Sequence, residues 1–255
     1  MKNPGLRRFP LVTTAVFGLT AAVNLLQFVV HGLLRHLERS PAGLHGDWWR
    51  TVTALFTQDG GVPGTLSNLA FLVAIGVLAE QVVSRPRWLL CYFGTGLVGE
   101  FAGYGWQPYG AGNSVAICGL AGVIAVALWS GDERLPSFGA VVLVVWCGVL
   151  LANLWYPLVA AGTLGAFLAK AGSERGVPVA RWAVLAALVT GVVMTAAEDI
   201  HGAALLAGLV LASLLMPTGR RPSPRDPAAG GDHGGGAGGG FGGVAGADRE
   251  FRAQG

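Results

Sequence analysis

The stretch Gly110-Ala-Gly-Asn-Ser114-Val-Ala-Ile-Cys-Gly119-Leu-Ala-Gly122 opens an apolar run that continues to residue 130 without a charge. It sets a serine in the first turn of a helix and small residues at 116, 119 and 122. In a bilayer that spacing lets another helix come close, because lipid offers no hydrophobic drive and association relies on tight packing. A serine at such a position reads first as an N-cap, whose oxygen accepts an orphan backbone N–H. The serine acquires chemical interest only from what the rest of the chain can bring to it.

Working outward, similar runs occur near 9–33, 63–83, 87–106, 137–154, 156–171, 180–197 and 200–216. Several fall short of the roughly 20 residues that a perpendicular crossing requires. Each can satisfy its backbone internally as a helix, as lipid demands. The expectation is an all-α polytopic membrane protein with about eight transmembrane helices. Composition agrees: 53% of residues are hydrophobic and 12% charged, against about 25% charged in soluble domains. With the N-terminus in the cytoplasm, fourteen of the seventeen Lys and Arg fall in inside segments, and only Arg35, Arg39 and Arg50 fall outside. That bias predicts a multi-pass protein of the cell membrane with both termini cytoplasmic. The long outer loop 34–62 holds Trp48, Trp49 and Arg50, consistent with a helix lying at the membrane surface. Residues 1–216 form the membrane domain in this reading. Residues 217–255, rich in Gly and Pro, form a disordered cytoplasmic tail.

Several function classes drop away. The net charge of +3 is small, and the Arg residues do not line one stripe, which argues against a nucleic-acid partner. Cys91, Cys118 and Cys147 all lie in apolar runs with no short spacing, so neither a disulfide framework nor a metal site is expected. No phosphate loop is present, and no cofactor is implied. A transporter would carry ionisable groups near mid-membrane. Glu80, Glu100 and Lys170 instead fall near span ends.

His201 follows Glu198-Asp199-Ile200 and opens the run His201-Gly-Ala-Ala204-Leu-Leu-Ala-Gly208. In the expected topology Ser114 and His201 both stand at the outer ends of their helices. At that shared depth water is available, and the histidine becomes a candidate general base for the serine. Asn68, in Gly64-Thr-Leu-Ser-Asn68, also falls in the first turns of a helix at that face. Its side-chain N–H is a candidate donor to an oxyanion.

With these residues in place, the chain resembles the rhomboid family of intramembrane serine proteases over about residues 9–216. Trp49-Arg50 matches the family's loop pair. Asn68, Gly76 and Glu80 match its second-helix motif, and Arg87-Trp88-Leu89-Leu90 the opening of its third helix. Gly112-Asn-Ser114 with Gly119 matches the nucleophile motif, and His201, Ala204 and Gly208 the last core helix. The resemblance implies a six-helix core plus an extra helical pair, placed at 137–171. It implies a serine endopeptidase acting on transmembrane protein substrates within the lipid bilayer. Ser114 and His201 would be the catalytic pair, with the Ser114 N–H and Asn68 as oxyanion donors. The alternative is a catalytically inactive relative that binds transmembrane segments.

The chain departs from the family pattern at three positions. Gly64 replaces a histidine that would add an oxyanion contact, so Gly64→His is expected to restore one. Val115 replaces a glycine, which puts a close helix approach in doubt. Cys118 replaces an aromatic and reads as a buried structural cysteine. A competing register sets Thr163 in the histidine position, with Lys170 where a small residue belongs.

Overall fold

The computed structural model describes residues 8–136, 138–154, 165, 171–172 and 179–216. Its helices, in chain order, are α1 (Leu11–Val29), α2 (Leu33–Leu37), α3 (Trp49–Thr53), α4 (Gly61–Val82), α5 (Arg85–Leu89), α6 (Thr95–Trp106), α7 (Ser114–Ser130), α8 (Gly139–Leu154), α9 (Val179–Ala196) and α10 (Ile200–Leu215). Short 3-10 turns cover Pro41–His45 and Ala54–Phe56, and a π turn at Leu90–Gly94 joins α5 to α6 without a break. Among the described residues there is no strand, only an antiparallel bridge between Arg39 and Gly110. The chain is a polytopic helical membrane protein. α1, α4 and α9 are long and apolar enough to cross a bilayer, and α7, α8 and α10 are shorter apolar helices. Of the expected runs, 156–171 lies outside the described residues apart from 165 and 171, and Thr163 lies outside them altogether. The expected tail, 217–255, also lies outside them.

The centre of the molecule is α7. Every residue from Val115 to Ala127 is buried, so this helix is apolar all round because protein surrounds it on every side. α10 packs along it most extensively, and α4, α6, α8 and α9 also touch it. The small residues set the distance. A Cβ on Gly208 would lie 2.8 Å from the Cα of Gly119, and one on Gly119 would overlap Thr95 and the Cys91 carbonyl. Bare backbone at both positions gives dense dispersion contact, the main source of helix association in lipid.

Polar groups at helix ends are satisfied between elements. α1 starts without a side-chain cap of its own. Glu80 of α4 supplies one instead, accepting the N–H of Val12 at 3.1 Å and both the N–H and hydroxyl of Thr13 at 2.9 Å. Those amides belong to the orphan donors that begin every helix. Gly76 lets Thr13 come close, and its carbonyl accepts Trp88 Nε1–H at 3.0 Å. Of the segment read from sequence as half of an inserted pair, Gly139–Leu154 packs as α8 against α4, α7 and α9.

Candidate active site

The approach to Ser114 is held by the loop between α1 and α4. Arg39 N–H bonds the Gly110 carbonyl at 2.9 Å, and Gly112 N–H bonds the Ala54 carbonyl at 3.0 Å. Between them, Asp59 accepts Ala111 N–H on its carboxylate at 3.1 Å and donates its own N–H to the Ala111 carbonyl. Arg39 is almost wholly buried and ion-paired with Glu100, and its guanidinium also bonds the Gln107 carbonyl. The outer loop is thus tied to the segment leading into α7. Arg50 holds the loop's own turns together, bonding Asp47 at 3.0 Å and the Arg35 carbonyl at 2.8 Å. Trp49 opens the short α3, while Trp48 is exposed.

Ser114 is the first residue of α7, not its cap. The cap position belongs to Asn113, which makes no side-chain capping bond. The serine hydroxyl turns instead to α10, with Oγ 2.9 Å from His201 Nε2. As a first-turn residue, Ser114 has a backbone N–H with no intrahelical acceptor. The N-cap reading of this serine therefore gives way to a pairing across two helices.

His201 is aimed by its own neighbourhood. Asp199 caps α10, and its Oδ1 accepts both the backbone N–H of His201 at 2.9 Å and the ring Nδ1–H at 2.7 Å. A carboxylate can only accept, so Nδ1 carries the proton and Nε2 is left as an acceptor facing the serine hydroxyl. Burial pushes the Asp199 carboxyl up, but the hydrogen bonds it accepts from His201 outweigh burial and hold the group below its usual value. The turn before it ends α9 with Glu198 in the left-handed region, at φ 56°, while Asp199 N–H reaches back to the Met194 carbonyl. This is the usual helix-ending geometry, made here by a glutamate where glycine would cost less.

Asn68 lies across the same cavity. This space of about 360 Å³ is lined by Ser114, His201, Asn68 and Gln58, and by Trp146 and Asn153 of α8. Asn68 Nδ2 donates to Gln58 Oε1 at 2.8 Å. A Cβ on Gly112 would sit 3.1 Å from Ser114 Oγ and 3.8 Å from Asn68 Nδ2, so a bare glycine separates the hydroxyl from the amide. The structure therefore brings together all three side chains named from sequence.

Two departures from the family pattern find a physical explanation. Val115 does not hold α10 away, because its side chain fills the space left by Gly99 on α6, where a Cβ would also lie 3.0 Å from the Ile200 carbonyl. Cys118 is fully buried in α7. Two residues of the site escaped the sequence reading. Asp199 carried a faint signal, an N-cap aspartate two residues before the histidine. Gln58 carried none, since nothing in its spacing marks it as a neighbour of Asn68.

A model of the rhomboid domain matches residues 45–198, more than half of the chain. The match takes in Asn68 and Ser114 and ends just before Asp199 and His201. The chain is 30% identical over 133 residues to the rhomboid protease GluP of Bacillus subtilis strain 168, a stretch covering 49% of this chain and 26% of that protein. It is 32% identical over 82 residues to the candidate rhomboid protease YdcA of the same organism, covering 31% of this chain and 41% of that one. The chain thus spans well under half the length of either relative.

Proposed function

This chain belongs to the rhomboid family, and on that premise we propose that it is a serine endopeptidase hydrolysing peptide bonds in or beside transmembrane segments of other proteins. The observation that carries the reading is the 2.9 Å separation of Ser114 Oγ and His201 Nε2. In this reading His201 takes the hydroxyl proton as Ser114 Oγ attacks the scissile carbonyl, then passes it to the leaving amine. An acyl-enzyme forms on Ser114, and water entering from the outer face hydrolyses it. Asp199 acts through His201, holding the tautomer that leaves Nε2 free. The Ser114 N–H and an Asn68 N–H receive the oxygen that becomes negative, where preorganised donors lower the barrier most. The protein sits in the cell membrane with both termini cytoplasmic, residues 1–216 carrying the reaction and 217–255 forming the tail.

The test uses the full chain in lipid vesicles with a model single-span substrate and a fluorophosphonate probe. Wild type cleaves the substrate and is labelled at Ser114. Ser114→Ala and His201→Ala each abolish cleavage, and their combination loses nothing more, because the two groups act as a unit. A wild-type protein that neither cleaves nor takes the label, while still binding the substrate, would replace this reading with that of an inactive segment-binding relative.

A further inference from the structure

Gln58 is a buried amide that the mechanism above does not use. It is 8% exposed and sits on the cavity wall beside Ser114 and Asn68. Its backbone is clamped by one side chain of α1: Gln58 N–H donates to Gln27 Oε1 at 3.1 Å, and Gln27 Nε2 donates to the Gln58 carbonyl at 2.7 Å. Its side chain is housed by three glycines. A Cβ on Gly60 or Gly64 would lie 2.9 or 2.6 Å from Gln58 Nε2, and one on Gly112 would lie 3.0 Å from Gln58 Oε1 and 3.1 Å from Ser114 Oγ. The amide thus fills the space that a side chain at position 64 would take, one bare glycine away from the serine hydroxyl. Oε1 is committed to Asn68. Nε2 makes no hydrogen bond with the described residues. This nitrogen is not sealed in protein but opens on the cavity, where an acceptor entering beside Ser114 can reach it.

We propose that Gln58 is a further oxyanion-binding residue of this chain, with Nε2–H donating, alongside Asn68, to the carbonyl oxygen that turns negative when Ser114 attacks. The proposal rests on the protease reading. It also changes what Gly64 means. The glycine does not leave a donor missing; it makes room for one supplied by the outer loop. Gln58 Oε1 does a second job, fixing the plane of the Asn68 amide so that one N–H is spent on Gln58 and the other is free for substrate.

The discriminating variant is Gln58→Glu, which keeps the shape and an acceptor for Asn68 but removes the donor. In full-length protein in vesicles, with the same single-span substrate, kcat is expected to fall about 10²–10³-fold, as for loss of one oxyanion donor, while KM stays within about twofold because the contact forms only in the transition state. Gln58→Ala falls similarly. Should that variant lower the folded yield, measured by detergent-resistant folded protein, Gln58→Glu carries the test. Gly64→His added to Gln58→Ala regains activity, since the imidazole enters the emptied space. Added to wild type it gains nothing, since the space is full. Wild-type kcat in Gln58→Glu would overturn the inference and reduce Gln58 to a support for Asn68, leaving proteolysis intact. An equal gain from Gly64→His with and without Gln58 would also overturn it. Failure of the wild-type chain to cleave or to label at Ser114 would remove the protease reading and this inference together.

Discussion

Asp199 Oδ1 lies 2.7 Å from His201 Nδ1 and 2.9 Å from the backbone nitrogen of the same residue. One carboxylate oxygen therefore caps a helix and selects the tautomer of the ring that the helix presents. These two duties separate under substitution. Asp199→Asn keeps a good cap, because asparagine is as favourable there as aspartate. It no longer forces Nδ1 to carry the proton. We expect the folded yield to stay near wild type while kcat for a model transmembrane substrate falls by about 10²–10⁴-fold, as when a triad aspartate is lost.

The same carboxyl gives a pH signature. Burial raises its pKa, but His201 outweighs that and leaves it lowered in the folded protein. A lowered folded value means the unfolded chain binds the proton more readily. The stabilisation is therefore complete above the ordinary carboxyl value of about 3.9 and is lost only as pH falls through the lower folded value. Thermal unfolding in detergent should show a constant gap between wild type and Asp199→Asn from about pH 5 to 8, narrowing below about pH 4. A gap that closes near neutrality instead would place the effect on another group.

Gly119 and Gly208 face each other across α7 and α10, where a Cβ on Gly208 would stand 2.8 Å from the Gly119 Cα. Gly119→Leu and Gly208→Leu should each destabilise by at least the ~1–3 kcal/mol typical of overpacking, because the obstacle is backbone and cannot rotate away. Ser114→Ala removes only a hydroxyl bonded to His201, and should cost no more than about 1 kcal/mol. Detergent unfolding of the three variants separates the cases. Equal losses would make Ser114 a structural residue.

Arg39 and Glu100 form an ion pair with side chains 1% and 0% exposed. Removing one charge strands the other. Arg39→Met should lower stability by about 3–5 kcal/mol, and adding Glu100→Gln should recover part of that. Arg39 also bonds the Gln107 carbonyl beside the Gly110–Gly112 segment, so the single variant should lose activity as well. A double variant no more stable than Arg39→Met would show that loop anchoring, not charge balance, dominates.

Topology can be read directly. The Lys and Arg asymmetry predicts that the chain's ends lie in the cytoplasm. A reporter fused after residue 216 should be active only if it responds to the cytoplasm. A signal from the opposite side would mean an odd number of crossings and would overturn the expectation of eight helices.

The sequence by itself determined the material and the meeting place. Long apolar runs can satisfy their backbones in lipid only as helices, so the polytopic all-α class was legible from composition and run length. Ser114 and His201 stand at the starts of their helices and Asn68 falls in the first turns of another, all expected at the same face, so their shared depth was legible too. Gly119 and Gly208 announced a close approach through size alone. What only the tertiary structure decided concerns partners. Periodicity reports which face of a helix is apolar, but not which groups lie across a turn or a gap. The Asp199 contact depends on a left-handed Glu198 and on an N-cap whose oxygen reaches a ring two residues later. Val115, a departure from the family motif, is absorbed by Gly99 on another helix. Gln58 reaches Asn68 only because Gln27, Asp59 and Arg39 fasten the outer loop to α1 and to the segment before Ser114. Such polar ties join residues tens of positions apart, and no spacing rule encodes them, because the loop's path is set by which buried donors and acceptors must find one another once the helices have packed.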